Sequence, residues 1–211
     1  MDKGNDEMNI KDKHKEAPIE QEIRGKMLIF RPDTHTYIYD GVTIPSVTQL
    51  ISKILPSTYK NVDPFVLQQA AEKGISLHKE IELYETKQII GTSQEFKNYL
   101  KLKTLYDFEV VDNELMILVE HEGQPICAGR LDMIINSKQE IGMGIADIKR
   151  TYQLNLDYLN LQLNLYKIGY EQTYNQTIDY LRCIHLRYQH HAYVNVSIDK
   201  TLIDRLVFSQ V

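Results

Sequence analysis

Short runs of β-prone residues open the ordered part of the chain. Residues 27–30, 37–39 and 42–44 are rich in apolar and aromatic side chains, and Asp40-Gly41 separates the last two runs. An Asp-Gly pair between two such runs is a strong hairpin signal. Residues 1–25 are different, since residues 1–24 carry seven acidic and five basic side chains and few apolar ones. We therefore predict a disordered tail over 1–25 and a single folded domain over 26–211.

Helix and strand signals alternate along the rest of the chain. Ser46 and Asp63 are predicted N-caps, Pro64 suits a first helical position, and Gly74 is expected to cause an irregularity in the second helix. The predicted helices cover residues 46–54, 63–87, 93–106 and 154–174 and a short segment after Asp199. The predicted strands cover residues 109–120, 126–135, 141–150, 178–186 and 192–198. This order predicts an α/β (α+β) domain with a mixed central β-sheet flanked by helices.

Composition indicates a broad class of protein but does not indicate a specific function. The chain is 43% apolar and 25% charged, and it lacks the run of roughly 20 apolar residues that a membrane helix needs. We expect no membrane partner, no secretory signal and a cytoplasmic location.

The two cysteines, Cys127 and Cys183, lie in apolar runs and are interpreted as small buried side chains. Two cysteines do not supply the usual four thiolates of an iron–sulfur cluster. The net charge of −5 disfavours a protein that coats nucleic acid, but carboxylates around a metal ion also add negative charge.

The most informative residues are Asp132, Asp147 and Lys149. Side chains alternate along a strand, so Asp147 and Lys149 are predicted to share one face. If the hairpin is symmetric about residues 136–140, Asp132 lies nearly opposite Asp147. Carboxylates are ligands for Mg²⁺ or Mn²⁺, which can activate water, and a lysine can stabilise the negative charge that develops during phosphodiester cleavage. An Asp-x-Lys triplet alone is more often a surface ion pair.

Five weak motifs occur together in order. They are Pro45-Ser46-Val47-Thr48, Gly74-x-x-x-His78, Gly129-Arg130-Leu131-Asp132, Asp147-x-Lys149 and Gln162-x-x-x-Tyr166. With these motifs, residues 35–195 resemble the RecB-like branch of the PD-(D/E)XK nucleases, especially phage-type exonucleases. Leu131 stands where the superfamily name has proline. The resemblance implies a restriction-endonuclease-like core.

The same resemblance implies a role for each matching residue. Asp132, Asp147, His78 and the carbonyl of Ile148 would bind one or two Mg²⁺ or Mn²⁺ ions, and Lys149 would be the catalytic lysine. Gln162 and Tyr166 would bind DNA phosphate or brace the site. Glu82 and Glu114 are accessory candidates for which a solvated surface position is an equal alternative.

The implied activity is metal-dependent hydrolysis of DNA by an exonuclease of phage-type recombination or DNA processing. The substrate would be a duplex end or a single strand. A homo-oligomer is a further expectation, as is a helicase, single-strand-binding or annealing protein as partner. Three alternatives stay open: a structure-specific endonuclease on the same fold, a catalytically inactive nuclease-fold DNA-binding module, and a metal-binding scaffold without a DNA role.

Overall fold

A computed structural model describes residues 17–56 and 62–210, and these residues form two compact units that divide between Ile44 and Pro45. The first unit contains an antiparallel sheet in the order β1 (Ile19–Ile23), β2 (Lys26–Arg31), β3 (Thr36–Tyr39) and β4 (Val42–Ile44). The predicted Asp40-Gly41 turn joins β3 to β4, with positive φ at both residues.

The prediction of a disordered tail over 1–25 is wrong for β1. Residues 19–23 pair with β2 over their whole length, from Ile19 opposite Phe30 to Ile23 opposite Lys26. Only Ile23 of this strand is buried, so backbone pairing rather than side-chain burial supports the strand. The part of the predicted tail over residues 1–16 lies outside the described residues.

The helices of the second unit begin close to the predicted caps. Their bounds are α1 (Val47–Ile54), α2 (Pro64–Lys87), α3 (Gln94–Leu105), α4 (Leu156–Tyr174) and α5 (Lys200–Leu206), followed by a 3₁₀ turn at Phe208–Gln210. Ser46 caps α1 in a capping box with Gln49, and Asp63 caps α2. Helix α2 is continuous through Gly74, so the irregularity expected there is wrong: an exposed helix tolerates one glycine at a cost of about 1 kcal/mol.

The second unit is built around a mixed sheet, which confirms the predicted fold class. Its order is β5 (Phe108–His121), β6 (Gln124–Ser137), β7 (Gly144–Lys149), β8 (Tyr180–Leu186) and β9 (His191–Val196). Pairing is antiparallel except between β7 and β8, which are parallel and joined by α4 as the crossover helix. Strand β7 begins at Gly144 rather than at the predicted residue 141, after a turn that includes Gly142 at φ 81°.

Helices cover both faces of this sheet. One apolar core packs α1, α4 and α5 on side chains that include Ile145, and the other packs α2 and α3 on side chains that include Ala146 and Ile148. Strand β7 is therefore buried on both faces, and a charged residue in it must find a partner. Within the described ranges, no helix combines the length and apolar character needed to cross a bilayer.

Candidate metal centre

The candidate site lies where β6 and β7 separate. Their pairing runs from Ile135–Gly144 to Met133–Ala146, whereas β7 stays paired with β8 as far as Lys149 and His185. Asp132 and Asp147 are each one residue beyond the last β6–β7 pair. The register therefore continues to Asp132 opposite Asp147. The hairpin is centred between residues 139 and 140 and not on residue 138, the centre of the predicted turn.

Where β6 and β7 separate, the side chains of Asp132 and His78 contact the backbone of Ile148. The Ile148 amide donates to Asp132 Oδ2 at 2.7 Å, and the Ile148 carbonyl oxygen lies 3.1 Å from Nε2 of His78. The other ring nitrogen of His78, Nδ1, is 3.5 Å from Asp132 Oδ1. His78 reaches the sheet from α2, so one imidazole links the helix to both β6 and β7.

Glu114 completes a three-residue cluster with His78 and Asp132. It lies between the pairs Asn113–Met133 and Leu115–Leu131, and so opposite Asp132 on the other side of β6. Its backbone has φ 54°, a left-handed conformation that breaks the regular alternation of β5. One ligand atom from each of His78, Glu114 and Asp132 lies within 4.8 Å of the others. These three residues could hold a metal ion.

Asp147 and Lys149 form an ion pair beside this cluster. Lys149 Nζ lies 2.5 Å from Asp147 Oδ2, and the Asp147 side chain is 2% exposed. Oδ2 of Asp147 is buried, and its ion pair with Lys149 offsets the cost of burying its charge. Asp147 is not a member of the 4.8 Å cluster, but its charge acts on both Asp132 and His78.

The pKa values show a concentration of negative charge that nearby cations offset. Burial alone would lower the pKa of His78, but Asp132 raises it to about 9. Burial, followed by the charge of Asp132, raises the pKa of Glu114 to about 7. Burial also raises the pKa of Asp147, to about 6, against the opposing effect of Lys149. Burial disfavours the Lys149 ammonium, yet the two aspartates raise its pKa above the ordinary value. Carboxylates crowded in this way favour an added cation.

The remaining predicted residues lie at the edge of the site or in the core. Gln162 and Tyr166 are buried on α4, where Gln162 Nε2 donates to the Tyr166 hydroxyl at 3.1 Å. Their burial favours bracing over direct contact with DNA. Glu82 pairs with Lys79 on α2 and is close enough for its charge to raise the pKa of Glu114.

The sequence interpretation gave too little weight to Glu114. The β5–β6 hairpin turns at Glu122-Gly123, and both have positive φ. The pairs next to this turn, His121–Gln124 and Glu120–Pro125, extrapolate to Asn113 opposite Asp132. A β-bulge between Val119 and Glu120 shifts the register by one residue and brings Glu114 to that position. Symmetry about the turn therefore points to the segment around Glu114 but does not select Glu114 itself.

Comparisons with known proteins do not identify a family for this chain. No family model matches the chain, and no curated protein matches it. A solved structure described as "Crystal structure of SSO0001" is similar to this chain with 16% sequence identity, over 72% of this chain and 86% of that one, at a TM-score of 0.34. A similarity of that size supports no argument about function.

Proposed function

We propose that this chain is a Mg²⁺- or Mn²⁺-dependent deoxyribonuclease that acts as an exonuclease. The observation that carries the proposal is the convergence of His78, Glu114 and Asp132 within 4.8 Å, next to the buried Asp147–Lys149 pair. The donor set fits such an ion, since carboxylate oxygens are hard ligands and imidazole suits divalent transition metals. The carboxylate of Asp147, which is paired with Lys149, and the carbonyl of Ile148 would extend that set.

The bound ion would polarise the scissile phosphate and lower the pKa of an attacking water. The chain's own residues would prepare the site for this step. Asp132 and Glu114 would hold the ion from neighbouring strands, and His78 would orient Asp132. Lys149, kept protonated by the two aspartates, would stabilise the charge that develops on the phosphate.

DNA as the substrate is supported by the order of the five sequence motifs rather than by the overall charge of −5. The mixed sheet carries the Asp132 and Asp-x-Lys motifs on adjacent strands, which suits that interpretation. A structure-specific endonuclease and an inactive DNA-binding module would use the same residues, so the substrates must be chosen to separate them from an exonuclease.

The test is a time course of DNA degradation by the full chain with Mn²⁺. End-labelled linear duplex, linear single-stranded DNA and closed circular DNA are compared. We expect loss of the linear substrates, intact circles, and no activity in EDTA. Cutting of circles would identify an endonuclease. DNA that stays intact under all conditions would refute the nuclease and favour an inactive DNA-binding module.

Variants connect the activity to the site. Asp147→Ala and Lys149→Ala should each abolish degradation while the fold stays intact. Lys103→Ala is a matched control, because Lys103 pairs with Glu85 at 2.5 Å with the same 22% side-chain exposure as Lys149 but lies outside the site. Near wild-type activity in Asp147→Ala or Lys149→Ala would refute the site assignment, and equal loss in Lys103→Ala would attribute the effect to stability.

A further inference from the structure

A cavity at the start of α4 shares Lys149 with the candidate site. It has a volume of about 230 Å³ and lies between the end of β7 and the first turn of α4, lined by Lys149, Thr151, Gln153, Leu154, Asn155, Tyr158 and Leu159. A group in this cavity would therefore be next to the amine that the proposed function assigns to the scissile phosphate. None of the lining residues other than Lys149 has a role in the site described above.

The walls have the chemistry of a site for a flat, uncharged ring. Leu154, Leu159 and the ring of Tyr158 are apolar, whereas Thr151 and Gln153 bring a hydroxyl and an amide. Among the described residues that line the cavity, Lys149 alone is charged. A nucleobase has two apolar faces and a polar edge that can both donate and accept hydrogen bonds, and it stacks on aromatic side chains.

The size also suits a single base. Pockets for drug-sized ligands have volumes of roughly 300–1,000 Å³, and this cavity is smaller. A base that is stacked inside a duplex does not enter a cavity of this kind, because it must first leave the helix. A cavity of this size would therefore accept the base of a nucleotide that is unpaired.

The loop that forms the cavity is held in place by contacts to other elements. Nε2 of His185 on β8 donates to the Thr151 carbonyl at 2.7 Å. Arg150 binds Glu95 of α3 through Nε and Nη2, at 3.0 and 2.8 Å. Asn155 accepts from the Tyr158 amide as the N-cap of α4. These contacts preform the cavity, so little loop ordering opposes binding.

The loop also has a cation available for a backbone phosphate. Arg187 donates from Nη1 to the Tyr152 carbonyl at 3.2 Å and stacks on the Tyr152 ring at 4.2 Å. Within the described ranges, no carboxylate forms an ion pair with Arg187. The Tyr152 side chain is 77% exposed, so this stacked pair is accessible from solvent.

We infer that this cavity binds the base of an unpaired nucleotide next to the scissile phosphate, so that the substrate is a DNA end with at least one unpaired nucleotide. The inference rests on the proposed nuclease function for the location of the phosphate. It adds a substrate class, namely DNA with single-stranded or frayed ends. It also names the residues that would recognise the unpaired base, chiefly Gln153 and Tyr158.

A binding experiment tests the cavity without relying on catalysis. Single-stranded decanucleotides carry 2-aminopurine at the 5′ end, at the 3′ end or in the middle, and Ca²⁺ replaces Mn²⁺. We expect a saturable fluorescence change for one terminal probe. Gln153→Trp, which fills the cavity from its exposed rim, should weaken that binding by roughly 5- to 150-fold, the range for losing one stacked base.

Leu156→Trp is the matched control, because it adds the same indole three residues further along the chain, at the exposed first residue of α4 and outside the cavity. It should bind as the wild type does. Equal affinity in Gln153→Trp and wild type would overturn the inference, as would a fluorescence change that does not depend on the position of the probe.

Degradation of two duplexes then separates this inference from the proposed function. One duplex has GC-clamped blunt ends, and the other has two mismatched pairs at each end. The inference predicts a lower KM for the duplex with mismatched ends. This difference in KM should disappear in Gln153→Trp and remain in Leu156→Trp. Equal KM values for both duplexes in the wild type would be consistent with the proposed nuclease function but would refute the role of the cavity in binding an unpaired base. Terminal 2-aminopurine binding without any degradation would support the cavity as a base-binding site and refute the nuclease.

Discussion

Gln162 and Asn164 offer a sharp test of how buried polar groups act in this fold. Both lie on α4 and are almost fully buried, at 4% and 3% exposure. Gln162 donates to the Tyr166 hydroxyl, but its Oε1 finds no donor among the described residues. Asn164 donates to the carbonyls of Asn160 and Ser197 and accepts from the Asp199 amide. We compare Gln162→Met with Asn164→Leu, since each substitution nearly conserves side-chain volume.

The expected changes in the free energy of unfolding have opposite signs. Gln162→Met removes one hydrogen bond, a loss of about 0.5–1.5 kcal/mol, and relieves an unpaired buried acceptor, a gain of about 1–3 kcal/mol. The net effect is neutral to about 2 kcal/mol stabilising. Asn164→Leu removes three hydrogen bonds and leaves the Asp199 amide without its partner, so we expect a loss of about 2–4 kcal/mol. For a chain of this length each kcal/mol shifts Tm by about 2–4 °C.

Urea unfolding followed by circular dichroism measures both variants, and equal m-values show that the comparison is valid. A loss of more than about 1 kcal/mol in Gln162→Met would refute the reasoning, because it would mean that Gln162 is as well satisfied as Asn164. DNA degradation by the same proteins adds a second readout. A Gln162→Met protein that is at least as stable as wild type but degrades DNA more slowly would show that Gln162 supports the activity of the site and not the stability of the fold.

Three further predictions concern close contacts and charges. Gly129→Ala should destabilise the fold by about 1–3 kcal/mol in urea unfolding, because the added Cβ would lie 2.9 Å from the Tyr166 ring; an unchanged midpoint would contradict this. Glu80 accepts from the Thr92 and Ser93 amides, and its hydrogen bonds with Ser93 and Thr92 lower its pKa against the effect of burial. Glu80→Gln should therefore cost about 1 kcal/mol at pH 7, and this cost should shrink as the pH falls below 4.5 towards the lowered pKa of the native state; a cost that is the same at pH 3 would exclude the charge as its origin. His78→Ala should weaken Mn²⁺ affinity in calorimetry more than DNA affinity, and the reverse order would remove His78 from the metal site.

The adjacency of the strands that carry Asp132 and Asp147 was predictable because one local turn joins them. Their exact register was not, because the hairpin is centred between residues 139 and 140, whereas the predicted turn over 136–140 is centred on residue 138. Helix α4 could also be bounded, because Asn155 and the αL residue Asn175 mark its ends. These features need only short-range information.

Other features depend on contacts between distant segments. The loop that lines the cavity beside Lys149 is fixed by Glu95 and His185, which are 55 and 34 residues away from the groups they bind. Strand β1 was missed because its Glu20-Gln21-Glu22 core lacks apolar character, and it forms only because β2 offers an edge for pairing. Periodicity carries no information about such partners.

The separation of β6 from β7 also provides a spectroscopic probe. The amide proton of Ile148 is held by the Asp132 carboxylate rather than by a strand carbonyl. Its NMR chemical shift and its hydrogen-exchange rate therefore depend on the charge state and ligation of that one side chain. A ¹⁵N-labelled sample titrated with a divalent cation should show Ile148 among the most perturbed amides, with a response that disappears in Asp132→Ala. The protein thus carries a reporter of cation binding that requires no attached fluorophore and no substrate.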